Sequence, residues 1–279
     1  WSNSSNACSG KRKQNNKIPR FFGGFFQYLD FYDTICYNVF IMDVTSISKN
    51  CTRTEFVGTA VLDTIGLVIS GADEQLLRQM GLGMKYRSLG VYSSRTGAAG
   101  QLTALDEAVK STNTEILSVE LPRDTKGWGG HGNYAVIGGD TPSDVRRAIE
   151  IALSLTDKYA GELYISEAGH LEFAYSSSAG KVLEKAFGAK LGQAFGFLAG
   201  SPASIGLVMA DNAVKAAEVE IVNYMTPDKG TRHSNEVILA FSGKADNVKE
   251  AVLSARQLGL ELLIAMGSYP NVPGTSYLG

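Results

Sequence analysis

The sequence predicts an α/β (α+β) protein made of two tandem copies of one unit, each a small sheet with packed helices. Three observations predict it. The stretches LTALDEAVKSTNTEI (102–116) and LVMADNAVKAAEVEI (207–221) are identical at seven of fifteen positions with a constant offset of 105 residues. Unrelated segments of ordinary composition would match at roughly one such position, so this is an internal repeat of domain size rather than solenoid size. Around both copies the same order of strand-like and helix-like segments recurs, as a layered α/β unit requires. The three cysteines, Cys8, Cys36 and Cys51, all precede residue 54, so the repeats rest on packed cores and not on disulfides.

Residues 1–53 differ from the rest. They hold ten of the 26 aromatic residues and a basic cluster of Lys11, Arg12, Lys13, Lys17 and Arg20. Two readings stand: an arm that docks on a partner through an aromatic face, or sequence that is partly non-native, with Met42 as a natural start. From Thr54 the pattern becomes regular. TEFVGTA (54–60) and IGLVIS (65–70) read as strands, and ADEQLLRQMG (72–81) as a helix with Leu76, Leu77 and Met80 on one side and Gly81 as its stop. SLGVYS (88–93) is a strand leading through the turn Thr96-Gly97-Ala98-Ala99-Gly100 into the repeated helix. Leu102, Leu105, Val109 and Thr112 share one face of it, and Leu207, Ala210, Val214 and Ala217 share one face of its copy, the spacing of a core stripe. Asp106–Lys110 and Asp211–Lys215 are i,i+4 pairs with the acid first, contributing about 0.2–0.5 kcal/mol each as a solvated helix face. EILSVEL (115–121) and YAVIGG (134–139) are strands flanking a long loop, and Thr141-Pro142 opens a helix as an N-cap followed by proline.

The second copy repeats this order. EFAY (172–175) corresponds to the first strand and AGKVLEKAFG (179–188) to the first helix. AFGFLAG (194–200), EIVNYM (220–225) and VILAFSG (237–243) are strands, and Val248, Ala251, Val252 and Ala255 form the last helix face. ELLIAMG (261–267) reads as one further strand, and the turn-rich tail SYPNVPGTSYLG as loosely held. The resulting division is an extension (1–53), a first domain (54–164), a second domain (165–270) and a tail (271–279).

Composition narrows the function. A formal charge of −2 gives no electrostatic case for nucleic acid. No apolar run approaches the ~20 residues of a spanning helix, which argues against a membrane, and a cytoplasmic protein is the simplest fit. The turn at 96–100 lacks the Lys-Ser/Thr of a P-loop and the acid of a dinucleotide fold. In the second copy it becomes SPASIG, so tight packing is the better reading than phosphate binding. His131 and His233 fall in corresponding loops, and His170 elsewhere. A ring of three His131 side chains about a threefold axis is one reading, ordinary loop histidines the plainer one. No spacing marks a metal site or a nucleophile–base set, and no cofactor is expected. The loop 122–133 is unusual: Lys126, Trp128 and His131 stand among glycines, which expose backbone N–H groups, so two readings stand, the lining of a small-molecule passage or site and a plain long loop.

These motifs in this order resemble the shell-protein domain of bacterial microcompartments. Two copies in one chain, with TEFVGTA ahead of the first, RDTKG and GHG in the loop, SEAGH (166–170) and EKAFGA (184–189), are similar to the tandem-domain B-type shell protein of propanediol- and ethanol-utilisation compartments. The resemblance spans residue 54 to about 277. It implies circularly permuted domains and a homotrimer whose six domains form a flat pseudohexagonal tile. It implies narrow or gated pores for a small polar metabolite and other shell proteins as partners; residues 1–53, which it does not cover, stand as a candidate docking arm for encapsulated enzymes. The family's edge lysine falls on Lys110 and Lys215, which makes Asp106, Lys110, Asp211 and Lys215 tile-edge contacts. Its axial loop falls on Asp124, Thr125, Lys126, Gly127, Trp128, Gly129, Gly130, His131 and Gly132 in the first copy. In the second it falls on Lys229, Gly230, Thr231, Arg232, His233 and Ser234. An iron–sulfur centre of the kind some tandem shell proteins carry is out of reach without cysteine after residue 51. The alternative reading is a trimeric metabolite-binding or signalling protein of duplicated α/β domains.

Overall fold

The computed structural model describes residues 54–123 and 130–279. The first repeat runs β1 (Thr54–Ala60), β2 (Thr64–Ile69), α1 (Glu74–Met80), β3 (Ser88–Ser94), α2 (Ala99–Lys110), β4 (Thr114–Glu120), β5 (Asn133–Gly139) and α3 (Pro142–Tyr159). A 3-10 turn at Ala160–Glu162 leads into the second: β6 (Leu163–Ser166), β7 (Gly169–Ser176), α4 (Lys181–Phe187), β8 (Ala194–Ser201), α5 (Ala203–Ala216), β9 (Val219–Met225), β10 (Val237–Gly243) and α6 (Ala245–Ala265). Each repeat makes one five-stranded antiparallel sheet, ordered β1-β2-β3-β5-β4 and β6-β7-β8-β10-β9. The two orders are the same. Duplication of sequence is therefore duplication of topology.

Local chemistry accounts for the helix ends. The Asp73 side chain accepts from the N–H groups of Gln75 and Leu76 at the start of α1, and Gly81 closes it in the left-handed conformation. Thr141 caps α3 through Asp144 N–H, with Pro142 in the first turn. Gly188 ends α4 as Gly81 ends α1. The long helices lie on the sheets: Val145, Ala148, Ile149 and Ala152 of α3 are buried, as are Val248, Ala251, Val252 and Ala255 of α6.

Three expectations are corrected. Residues 261–265 belong to α6 and are not a strand. Leu263 continues the buried stripe of Val252, Ala255 and Gly259 at helical spacing, and the sheet already has its five strands, so packing overrides the β-like composition. The second copy begins with β6, which pairs with β7 in the place β1 holds beside β2. EFAY therefore lies in the second strand of its sheet, and the division at 164/165 falls inside β6. LYIS is short and follows a helix through a tight turn, which hid it.

The tail is firmly held. Asn271 and Ile165 exchange backbone hydrogen bonds at 2.7 and 2.9 Å. The buried Glu162 carboxylate accepts from Tyr277 N–H (3.0 Å), Leu278 N–H (3.2 Å) and the Ser276 hydroxyl. Arg256 pairs with Glu162 at 3.1 Å and donates to Ser276 Oγ and the Gly279 carbonyl. Tyr277 places its hydroxyl between the backbone N–H and C=O of Tyr175, and Leu278 is buried in the second core.

The cores are arranged asymmetrically. One cluster joins Leu102, Leu105 and Val109 of α2 to Val182, Leu183 and Phe187 of α4 and Phe195 and Phe197 of β8, with the Phe187 ring 5.0 Å from that of Phe197. A second cluster lies within the second repeat. The first repeat thus buries its repeated helix against its neighbour, so the two halves meet along a seam of α2 and α4.

Candidate functional site

Two buried polar assemblies hold the repeats together. The first is at the ends of the seam helices. α4 has no cap of its own, because its N-cap is Gly180. The carboxylate of Asp106, reaching across from α2, accepts from Gly180 N–H (2.8 Å), Val182 N–H (3.0 Å) and Leu183 N–H (3.2 Å). A Cβ at residue 180 would stand 2.7 Å from Asp106 Oδ1, so glycine is what leaves room for the carboxylate. Lys110 Nζ lies 3.3 Å from the same carboxylate and donates to Glu107 (2.7 Å) and the Ser178 carbonyl (2.7 Å). Burial works to lower the Lys110 ammonium, but Glu107 and Asp106 outweigh it and hold it above the usual range. Burial pushes the Asp106 carboxyl up, against the opposing pull of Lys110 and the backbone donors.

The reciprocal contact runs the other way. α2 also lacks a cap of its own, and Glu172 Oε1 of β7 accepts from Ala98 N–H (2.9 Å) and Ala99 N–H (2.7 Å). The glycine-rich turn at 96–100 thus presents its N–H groups to a protein carboxylate, in keeping with the packing reading. Glu172 is buried, and burial raises its carboxyl.

The sequence placed Asp106 on a solvated helix face and at a tile edge. Instead its side chain is enclosed within the chain, because a helix N-terminus without a cap of its own meets it there. Asp211, at the matching position, keeps the expected exposed pair, 2.6 Å from Lys215.

The second assembly joins the stems of the two long loops. Gly132 N–H donates to the Pro122 carbonyl (2.9 Å), closing the base of the first loop, and Arg123 bridges His131. Asp124, Thr125, Lys126, Gly127, Trp128 and Gly129 lie outside the described residues. His131 is buried and meets Glu236 through Nδ1. The other Glu236 oxygen lies 3.0 Å from His170 Nε2. Burial works to raise the Glu236 carboxyl, yet the two imidazoles hold it down to about 2. Gly130 has a positive φ of 53° and passes so close that a Cβ would overlap Glu236 Oε2 and stand 2.8 Å from His170 Nε2.

The second loop is built differently. Thr231 is buried, its hydroxyl donating to the carbonyls of Thr226 (2.9 Å) and Ser234 (3.2 Å). Arg232 and His233 adopt positive φ, and Lys229 and Gly230 bridge back to Thr226. His233 is exposed, 3.8 Å from the equally exposed Asp228. His131 and His233 therefore do different things despite matching positions. His131 faces inward onto Glu236, which is not how a ring of imidazoles about an axis would be built.

Glu172, His170, Glu236 and Glu162 were not singled out from sequence as partners. The available signal was an acid inside an apolar strand, as in HLEFAY, which demands a buried donor set. Among the described residues no group of three or more His, Cys, Asp or Glu side chains is arranged to hold a metal ion, and no helix is long and apolar enough to cross a membrane.

Comparison with known proteins fits this duplicated architecture. The BMC domain profile matches residues 88–168 and again residues 194–272. Over 230 residues the chain is 51% identical to the bacterial microcompartment shell protein PduB of Citrobacter freundii, spanning 82% of this chain and 85% of that protein. The crystal structure of a trimeric PduB shell protein superimposes with a TM-score of 0.77 at 45% identity, covering 80% of this chain and 99% of that one. EtuB from Clostridium kluyveri gives the same TM-score and identity over 81% and 99%. With two BMC domains in tandem and these likenesses along most of its length, the chain belongs to the tandem-domain shell proteins of bacterial microcompartments.

Proposed function

We propose that this chain is a structural tile of a microcompartment shell, working as a homotrimer with pores for small polar metabolites and not as a catalyst. The observation that carries the reading is the pair of sheets with one strand order, joined side by side through α2 and α4. A wedge repeated head to tail closes a ring when the rotation allows, and three such chains would supply six wedges. The family match and the trimeric relative of similar fold support the same assembly.

Within that tile, the loops 124–132 and 229–234 line the openings near the axis. Lys110, Asp211 and Lys215 supply the rim that meets the next tile, and Asp106, one turn before Lys110 on α2, caps α4 beside it. Other shell proteins are the partners at the rim, and residues 1–53 hold encapsulated enzymes. Light scattering with electron microscopy of concentrated protein tests the assembly: threefold particles that lay down hexagonal sheets are expected, and a monomer at high concentration refutes it. Lys110→Ala and Lys215→Ala should weaken the sheets and leave the trimer whole. Sheets unaffected by both would remove the rim assignment.

A further inference from the structure

The two repeats differ in chemistry at one buried place where their topology is the same. At one end of the central strand pair, Ser94 lies opposite Asn133 in the first repeat, and Gly200 opposite Val237 in the second. The helix residue that belongs with each pair, at the 105-residue offset, is Gln101 in α2 and Gly206 in α5. In the second repeat these positions touch directly. A Cβ on Gly206 would stand 2.7 Å from the Gly200 carbonyl oxygen and 2.9 Å from Val237 Cβ, so α5 sits on its strands with no side chain of its own between. In the first repeat three polar side chains take the same place, and Gln101 and Asn133 are both 0% exposed.

Their hydrogen bonds engage the amide nitrogens and leave two acceptors over. Gln101 Nε2 donates to the Thr96 carbonyl (2.9 Å), Asn133 Nδ2 donates to Ser94 Oγ, and the Ser94 hydroxyl donates to the Gly97 carbonyl (2.9 Å). These bonds fix which way each amide points. The amide oxygens, Gln101 Oε1 and Asn133 Oδ1, are buried and meet no donor among the described residues, a costly state for an acceptor shut away from water. Two carboxylates belong to the same surroundings. Glu172 accepts from the N–H groups of Ala98 and Ala99, next to Gly97, and Glu236 meets His131, two residues before Asn133. Unmet oxygens beside buried acids call for a positive guest.

We propose that a monovalent cation of the potassium class binds here, in the first repeat alone, on the amide oxygens of Gln101 and Asn133. Neutral oxygens that replace a hydration shell are what such an ion takes from a protein. A divalent ion instead favours carboxylate ligands or keeps its waters, and neither amide carries charge. The ion ties the turn between β3 and α2 to the start of β5, beside the point where Gly132 closes the base of the first loop. With Gly206 and Val237 in their places, the second repeat has no amide to offer and forms no such site.

Melting of the full chain, as choline chloride is exchanged for potassium chloride at constant ionic strength, tests this. A saturable rise of roughly 3–6 °C at tenfold the half-saturating concentration is expected from one site. Gln101→Met and Asn133→Leu should each abolish the rise. Crystals of wild type soaked in rubidium, the heavier congener of potassium, should show one anomalous peak per chain on the two amide oxygens and none beside Gly206. Should either variant fail to fold, the rubidium map decides alone. A map with no peak at the amides, meaning internal water only, overturns the proposal, as does a potassium effect that survives in both folded variants.

Discussion

Removing the Asp106 carboxylate should cost the chain far more than its surface-like sequence context suggests, and should do so in a way coupled to Gly180. In Asp106→Ala, the three N–H groups at the start of α4 lose their acceptor. Each orphaned buried donor costs about 1–3 kcal/mol, and an ordinary lost N-cap costs about 0.5–2 kcal/mol. Water entering the vacated space and relief of a buried charge offset part of this. A net loss of about 2–3 kcal/mol is expected, lowering the melting temperature by roughly 4–12 °C for a chain of this size. Gly180→Ala should separately cost about 1–3 kcal/mol, because the new methyl lands 2.7 Å from the carboxylate in a packed seam. In the double variant the methyl meets no carboxylate, so its added cost should fall below ~0.5 kcal/mol, a coupling of about 0.5–3 kcal/mol. Urea unfolding of the four proteins at one fixed chain concentration measures this, since assembly shifts apparent stability by mass action. Costs that simply add would mean Asp106 and Gly180 do not compete for the same space, and the cap would be misassigned.

Stability should also pass through a maximum on acidification. Burial raises the carboxyls of Asp106 and Glu172, and such groups contribute stability that is complete below their unfolded pKa, about 4, and lost as pH rises through the folded value. Glu236, held at about 2, contributes stability present above its unfolded value of ~4.3 and lost as pH falls toward 2. Melting temperature should therefore rise as pH falls toward the unfolded carboxyl value of about 4 and then fall below it as Glu236 is protonated; a monotonic fall from neutrality would contradict it. Tyr277→Phe removes the hydroxyl that bonds both backbone groups of Tyr175 and should cost about 1–2 kcal/mol, with faster C-terminal trimming by carboxypeptidase. Gly130→Ala drives a methyl into Glu236 at positive φ and should destabilise by about 1–3 kcal/mol, whereas His233→Ala, at a largely exposed side chain, should stay within ~0.5 kcal/mol; chemical denaturation compares the pair directly.

Most elements were legible because short-range signals and tertiary packing agree there. Thr141-Pro142, Gly81 and Gly188 punctuate helices whose apolar faces meet a sheet. Where the reading failed, the deciding interaction was remote in sequence. Residues 261–265 stay helical because Leu263 fills the second core, a fact no local window contains. Asp106 looks like a solvent acid, since its i,i+4 lysine is visible and its true partners at 180–183 are not. The tail, read as loose, is fixed by Glu162, more than a hundred residues away. The loop histidines illustrate the same limit: equal positions in the repeat gave no warning that only one faces a buried carboxylate.

Duplication inside one chain explains why the buried acids of its seam, Asp106 and Glu172, can exist at all. In a ring of identical single domains every seam residue occurs at every seam, so a buried acid at one is a buried acid at all, each with its desolvation cost. Fusing two domains frees the halves to diverge. Asp106 and Glu172 can then be enclosed at the in-chain seam, where the linked partner is always present to supply N–H donors. The same acid on a surface that is bare until chains meet would lose its hydration during assembly; Asp211, the counterpart of Asp106 in the second repeat, is paired with Lys215 in solvent and encloses nothing. Glu172 pairs with Ala199 in its sheet, and Ile65 holds the matching place opposite Ser93. Replacing Ile65 with glutamate, to copy Glu172 where one chain would meet the next in the proposed trimer, should therefore weaken assembly at neutral pH, since the α5 N-terminus is already served by Asn235 and the new carboxylate would have no free donor. Tighter trimers from Ile65→Glu, measured by the dilution at which they dissociate, would show that the seams are chemically alike and that the acids are freely portable between them.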